Sequence, residues 1–126
     1  VDVFNPKVIR STVGSLFHLP ILTMGTDDFF AWCDTHELAV YAADVYGTDS
    51  RQPESLTDVI AAPETLAGAK AVLFGNEARG LTKEVLERTD RIVSIPLYGK
   101  AESLNLGTSS AVMLLSLAMS SHVERM

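Results

Sequence analysis

The sequence predicts an α/β domain: a parallel sheet with helices on both faces. Three observations carry this reading. Short runs rich in apolar and β-favouring residues, "ELAVYAADV", "KAVLFG" and "RIVSIPL", have the composition of buried strands. Segments with helical spacing and identifiable caps lie between and around them. Strand and helix in alternation imply parallel pairing, because each helix serves as the crossover between neighbouring strands. The 126 residues suffice for one domain with a real core and are too few for two, so residues 1–126 are expected to form a single domain.

Each element has its own local signal. Asn5 and Pro6 make an N-cap and first-turn pair, after which Val8, Ile9, Val13, Leu16 and Phe17 share one side of a helix that Pro20 stops. Thr26 with Asp27 and Asp28 opens a second helix, its acidic first turn suited to the positive end of the helix dipole, and this helix ends near His36. The first strand is centred on residues 38–42. "GTDSRQPES" is a loop by its turn chemistry, and "SLTDVIAAPETLAG" holds one or two helical turns broken at Pro63. A second strand covers residues 71–74. Thr82 is the N-cap of the next helix, with Leu81 before it and Leu86 at its fourth position forming a hydrophobic staple. The third strand, "RIVSIPL", closes at Pro96. A final helix over residues 103–123 spans about 30 Å at the standard rise.

Composition narrows the function classes. Hydrophobic residues at 47% and charged residues at 21% describe a globular chain, and a formal net charge of -6 argues against this piece gripping nucleic acid through a basic surface of its own. Cys33 is the single cysteine, which excludes an internal disulfide and any multi-cysteine metal site. Its neighbours Phe29, Phe30 and Trp32 predict a packed, inert thiol. "VDVFNPKVIR" carries charge where a signal peptide needs an apolar segment, so a reducing cytoplasm is expected. The start without Met predicts a piece of a longer protein. Residues 103–123 lack acidic and basic side chains apart from His122, but Asn105, Gly107, Thr108 and several serines interrupt them. A buried interface helix fits better than a membrane span.

Three loops follow the carboxyl ends of the predicted strands, "DVYG", "GNEARG" and "PLYGKAESLN", and an open α/β sheet gathers such loops on one edge. The second resembles a phosphate loop until Leu81, which stands where a Walker lysine would be. No G-x-G-x-x-G or G-x-S-x-G is present, and His18, His36 and His122 are too scattered for a metal site. Glu77 and Arg79 either pair as loop charges or face a ligand. Ser103 reads as an N-cap or as a functional hydroxyl, while Asn105, in the first turn of an apolar helix, needs a partner.

"VLFGNEARGL", followed by "DRIVSIPLYGKAESLNLGTSSAVML", resembles the second and third motifs of the SpoU family of RNA ribose 2′-O-methyltransferases in the SPOUT superfamily. The upstream "NPKVIRSTVGSLFHLPI" is similar to the segment that precedes them. Among the branches, the chain resembles most the one that includes the thiostrepton-resistance type of ribosomal RNA methyltransferase. The resemblance implies a deep trefoil knot in the C-terminal part, an exception to unknotted topology. It also implies S-adenosylmethionine bound by the knot loops and a homodimer paired through the final helix, acting on ribosomal or transfer RNA without a metal.

Carried over by position, Gly75, Ile95 and Leu104 contact the cofactor and Leu97 lines its pocket, while Glu77, Ser103 and Asn105 supply the polar active site. Arg10 either touches RNA or is a solvated helix cation. The family's first motif, N-x-G-x-x-x-R, is absent from these residues: "NPKVIR" has Asn5 and Arg10 without the glycine. The domain is therefore expected to be incomplete at its N-terminus, with the catalytic arginine upstream of Val1. A non-catalytic knotted module for dimerisation or RNA association is the alternative.

Overall fold

The computed structural model describes residues 21–62, 67–75, 80–96 and 106–123, with side chains of the last segment described over 108–120. The chain divides into two compact units, Val1–Ala31 and Trp32–Met126. Helix α1, Thr26–Thr35, has Asp27 and Asp28 in its first turn, as its sequence predicts, and its first turn closes with the Phe29 amide donating to the Gly25 carbonyl at 2.9 Å.

The end of α1 explains where the first strand begins. The Leu38 amide donates to the Cys33 carbonyl at 2.8 Å and the Glu37 amide to the Asp34 carbonyl at 3.2 Å, the two bonds of a Schellman cap. Glu37 takes the left-handed position at φ +57, where glycine is usual. The strand therefore starts one residue later than its apolar composition suggests: β1 is Ala39–Ala43.

After β1 come β2 (Glu54–Ser55), helix α2 (Leu56–Ala61), β3 (Lys70–Phe74), helix α3 (Lys83–Arg88), β4 (Arg91–Ser94) and helix α4 (Leu106–Val123). The four strands form one sheet in the order β2-β4-β1-β3, and every described pairing is parallel. β2 corrects the sequence reading, which assigns Glu54 and Ser55 to a loop. Two polar residues give no strand signal; they are a strand because they pair with Val93 and Ser94 at the sheet edge. Arg91 fixes that edge with Nη1 donating to both Glu54 carboxylate oxygens, at 2.8 and 3.1 Å.

Alternation along the strands splits the core in two. Tyr41 and Val93 point to one face, where Leu56 and Val59 of α2 and Met113 and Leu117 of α4 pack on them. Ala42 and Ile92 point to the other, where Leu86 of α3 packs with Leu81 at its margin. Helices thus cover both faces of a parallel sheet. Thr82 caps α3 as its sequence predicts, its hydroxyl accepting from the Val85 amide at 3.2 Å, and the packing of Leu81 with the Leu86 cluster is the expected staple.

Cys33 is a free, buried thiol, and burial, reinforced by the Asp34 and Asp90 charges, pushes its pKa up. That environment suppresses the thiolate, in keeping with an inert cysteine. Among the described residues no helix is long and apolar enough to cross a membrane.

Candidate active site

Sheet register brings the strand exits together. Ala43, the last residue of β1, pairs with Phe74 on one side and Val93 on the other. The chain therefore leaves β1 and β3 at one level, through Asp44 and Gly75, and leaves β4 one residue further on, after Ser94. In a parallel sheet this carboxyl edge is where ligands bind. The Asp44 amide donates to the Val93 carbonyl at 3.1 Å, which keeps the first exit against β4.

Gly75 has no room for a side chain. A Cβ built there would lie 2.3 Å from the Gly80 carbonyl carbon and 2.6 Å from the Leu81 nitrogen. The two ends of the glycine motif thus meet backbone to backbone. The bare backbone of Gly75 is therefore required by the closure of its own loop, before any ligand is considered. Gly80 carries the conformational strain instead, at φ +66, and a Cβ there would meet Asp44 Oδ1 at 3.6 Å. The β1 and β3 exits are therefore neighbours in contact range.

Asp44 organises the first loop. Its Oδ2 accepts from the amides of Tyr46, at 3.0 Å, and Gly47, at 2.7 Å. This is an Asx turn, written in the sequence as Asp followed three residues later by glycine. Gly47 sits at φ +70, where a Cβ would fall 2.4 Å from the Arg51 carbonyl oxygen.

Arg51 ties this loop to α3. Its Nη1 donates to the carbonyls of Leu86, at 2.7 Å, and Thr89, at 2.9 Å, and its Nη2 donates to that of Asp90, at 3.2 Å. A cation on the last carbonyls of a helix satisfies orphan acceptors and the negative dipole end together. Beside it, the hydroxyls of Thr48 and Ser50 hold the Glu87 carboxyl below the usual carboxylate range, with Ser50 Oγ donating to Oε1 at 2.9 Å. Replacing Arg51 with Ala is expected to destabilise the fold by about 1.5–3 kcal/mol, the range for hydrogen bonds to a charged group. Lys, with one ammonium for a forked guanidinium, should recover less than half. Urea denaturation of the three proteins measures both.

Of the residues proposed from sequence, Gly75 and Ile95 are described. Ile95 follows β4 by one residue, is half-buried and packs against the Tyr41 and Val93 face of the core. Arg10, Glu77, Leu97, Ser103, Leu104 and Asn105 lie outside the described residues, as does Arg79. Asp44 and Arg51 were missed by sequence reasoning. The Asp-x-x-Gly spacing signalled the first. Nothing local signalled the second, since its acceptors lie 35 to 39 residues further along the chain. Among the described residues no group of three or more His, Cys, Asp or Glu is placed to hold a metal.

Comparison with known proteins returns consistent relatives. The model of the SpoU rRNA Methylase family matches residues 1–115. The chain is 33% identical over 113 residues to the 23S rRNA (guanosine(2553)-2'-O)-methyltransferase RlmP of Bacillus subtilis, covering 90% of this chain and 42% of that protein. Among solved structures, the SpoU methyltransferase AviRb of Streptomyces viridochromogenes superposes with a TM-score of 0.80 at 27% identity, over 98% of this chain and 47% of that one. An AdoMet-bound rRNA methyltransferase from Sinorhizobium meliloti gives a TM-score of 0.79 at 29% identity, over 94% of this chain and 42% of that one. The chain thus spans less than half the length of each of these three proteins.

Proposed function

The chain belongs to the SpoU rRNA methylase family, and from that premise we propose that it is the C-terminal part of an S-adenosylmethionine-dependent RNA ribose 2′-O-methyltransferase domain. One observation carries the reading: three parallel strands end within one residue of the same level, and the exits of two of them hold the family's glycine motif and its Ile-Pro segment. The RNA is ribosomal or transfer RNA, as in the names of the relatives, and the compartment is the cytoplasm.

The described residues fit the cofactor. Adenine and a methionine tail call for apolar walls and backbone hydrogen bonds more than for a cation. The edge offers half-buried Ile95 and the paired backbone of Gly75 and Gly80, with no lysine in the glycine loop. We assign Leu97 and Leu104 to the same pocket, within a C-terminal trefoil knot. The cofactor, when bound, supplies an electrophilic methyl group on sulfur. The chain's part is to hold the ribose hydroxyl in line with it and to help remove its proton. Ser103 is assigned to the hydroxyl, Glu77 and Asn105 to the loop and the target nucleotide, and Arg10 to RNA contact.

Helix α4 supports dimerisation. Met113 and Leu117 are buried in the core, yet Leu114, Leu115 and Met119 are 51%, 60% and 65% exposed. Their spacing, i, i+1 and i+5, forms a second apolar stripe, and a helix apolar all round is normally covered on both sides. A second copy of the chain is the proposed cover.

Calorimetric titration with S-adenosylmethionine and with its demethylated product tests the reading. Saturable binding is expected, without methyl transfer to ribosomal or transfer RNA, because the 126 residues contain no N-x-G-x-x-x-R. A folded protein that binds neither compound would remove the catalytic reading in favour of the non-catalytic knotted module.

A further inference from the structure

We infer that Tyr46 is a stacking platform for an unpaired nucleobase of the RNA substrate; the inference rests on the methyltransferase reading above. Tyr46 is 79% exposed, and Val45 beside it is 42% exposed. The segment presenting them is nevertheless fixed. Asp44 Oδ2 holds the amides of Tyr46 and Gly47. Thr48 and Arg51 exchange backbone hydrogen bonds, the Thr48 amide to the Arg51 carbonyl being 2.8 Å. Arg51 then anchors the segment to three carbonyls after and within α3. A backbone already ordered this way pays little further entropy when a ligand settles on the ring.

Position and chemistry select the ligand. Tyr46 stands three residues beyond Ala43, on the exit between those of β3 and β4, where the cofactor is assigned. An RNA that brings a ribose hydroxyl to that edge must lay adjacent nucleotides across it. Trp32, also exposed, is paired with His36 at a ring separation of 4.6 Å, whereas Tyr46 has no ring partner among the described residues. Charge points the same way. Asp49 and Glu87 flank the loop, Lys83 lies 3.7 Å from Asp49, and the chain carries a net charge of -6. Among the described residues, this part of the edge is poorly suited to phosphate. Base stacking on an aromatic ring needs no cation, and single-stranded RNA is recognised largely through it.

The test uses a short single-stranded RNA carrying one 2-aminopurine, whose emission is quenched by stacking, titrated with the full chain. Tyr46→Ala is expected to weaken RNA binding about tenfold and to lose the quench, while Tyr46→Phe retains both. Parallel calorimetry should give the same S-adenosylmethionine affinity for all three proteins. An Ala variant that binds and quenches like the parent overturns the inference. So does one that loses the cofactor and keeps the RNA, since the ring would then serve the cofactor's adenine. A parent that binds cofactor but no RNA sinks the stacking role and leaves the cofactor site standing; one that binds neither removes both.

Discussion

Gly75→Ala should cost about 3 kcal/mol of stability or more and abolish measurable S-adenosylmethionine binding. The added methyl would sit 2.3 Å from the Gly80 carbonyl carbon and 2.7 Å from its oxygen, atoms of a backbone that cannot rotate away as a side chain would. Overpacking a fitted interior typically costs 1–3 kcal/mol, and a clash with main chain belongs at or beyond the top of that range. Two other glycines make the test specific. Gly68 has φ +78 with nothing within 4 Å of a built Cβ, and Gly80 has φ +66 with its nearest contact at 3.6 Å. Alanine at either should cost only the left-handed penalty, about 1–2 kcal/mol. The predicted order places Gly75, which has no positive φ, above both glycines that do. Denaturant unfolding of the three alanine variants measures it. A Gly75→Ala protein as stable as Gly80→Ala would mean that the loop ends do not meet as described.

That prediction also shows where sequence reasoning reached and where it stopped. The alternation of apolar runs and helical segments gave a parallel sheet with helices on both faces, and the Thr82 cap with its Leu81 staple was readable because its partners lie within five residues. The motif glycine was found by its pattern, but its reason was not. Leu81 lies six positions beyond Gly75, and only the folded loop brings their backbones together. β2 escaped for a similar reason: Glu54 and Ser55 become a strand through pairing with β4, almost 40 residues on. Arg51 escaped because a guanidinium that caps a distant helix looks, in sequence, like any loop cation. What is local in the chain was legible, and what depends on closure across it was not.

Leu86→Ala carries the other large effect, because Leu86 is the one side chain that α3 buries against the sheet. The helix has six residues, too few to persist alone, and Leu86 is its one buried residue. It is 1% exposed and packs on Ala42 and Ile92, which are 0% and 2% exposed. Those two belong to paired central strands, so the surroundings cannot collapse into the space left by the truncation. Loss near the upper part of the 2–5 kcal/mol range for Leu→Ala is expected, and under about 1.5 kcal/mol for Leu86→Met, which keeps the volume. The consequences should reach the carboxyl edge. Thr82, Leu81 and the Leu86 carbonyl that receives Arg51 all depend on α3 staying in place. The Leu86→Ala, Arg51→Ala double variant should therefore lose less than the sum of the single losses, by about 0.5 kcal/mol or more, since the second change removes bonds to a helix already loosened. Strict additivity in denaturant unfolding would mean that the arginine and the helix act independently.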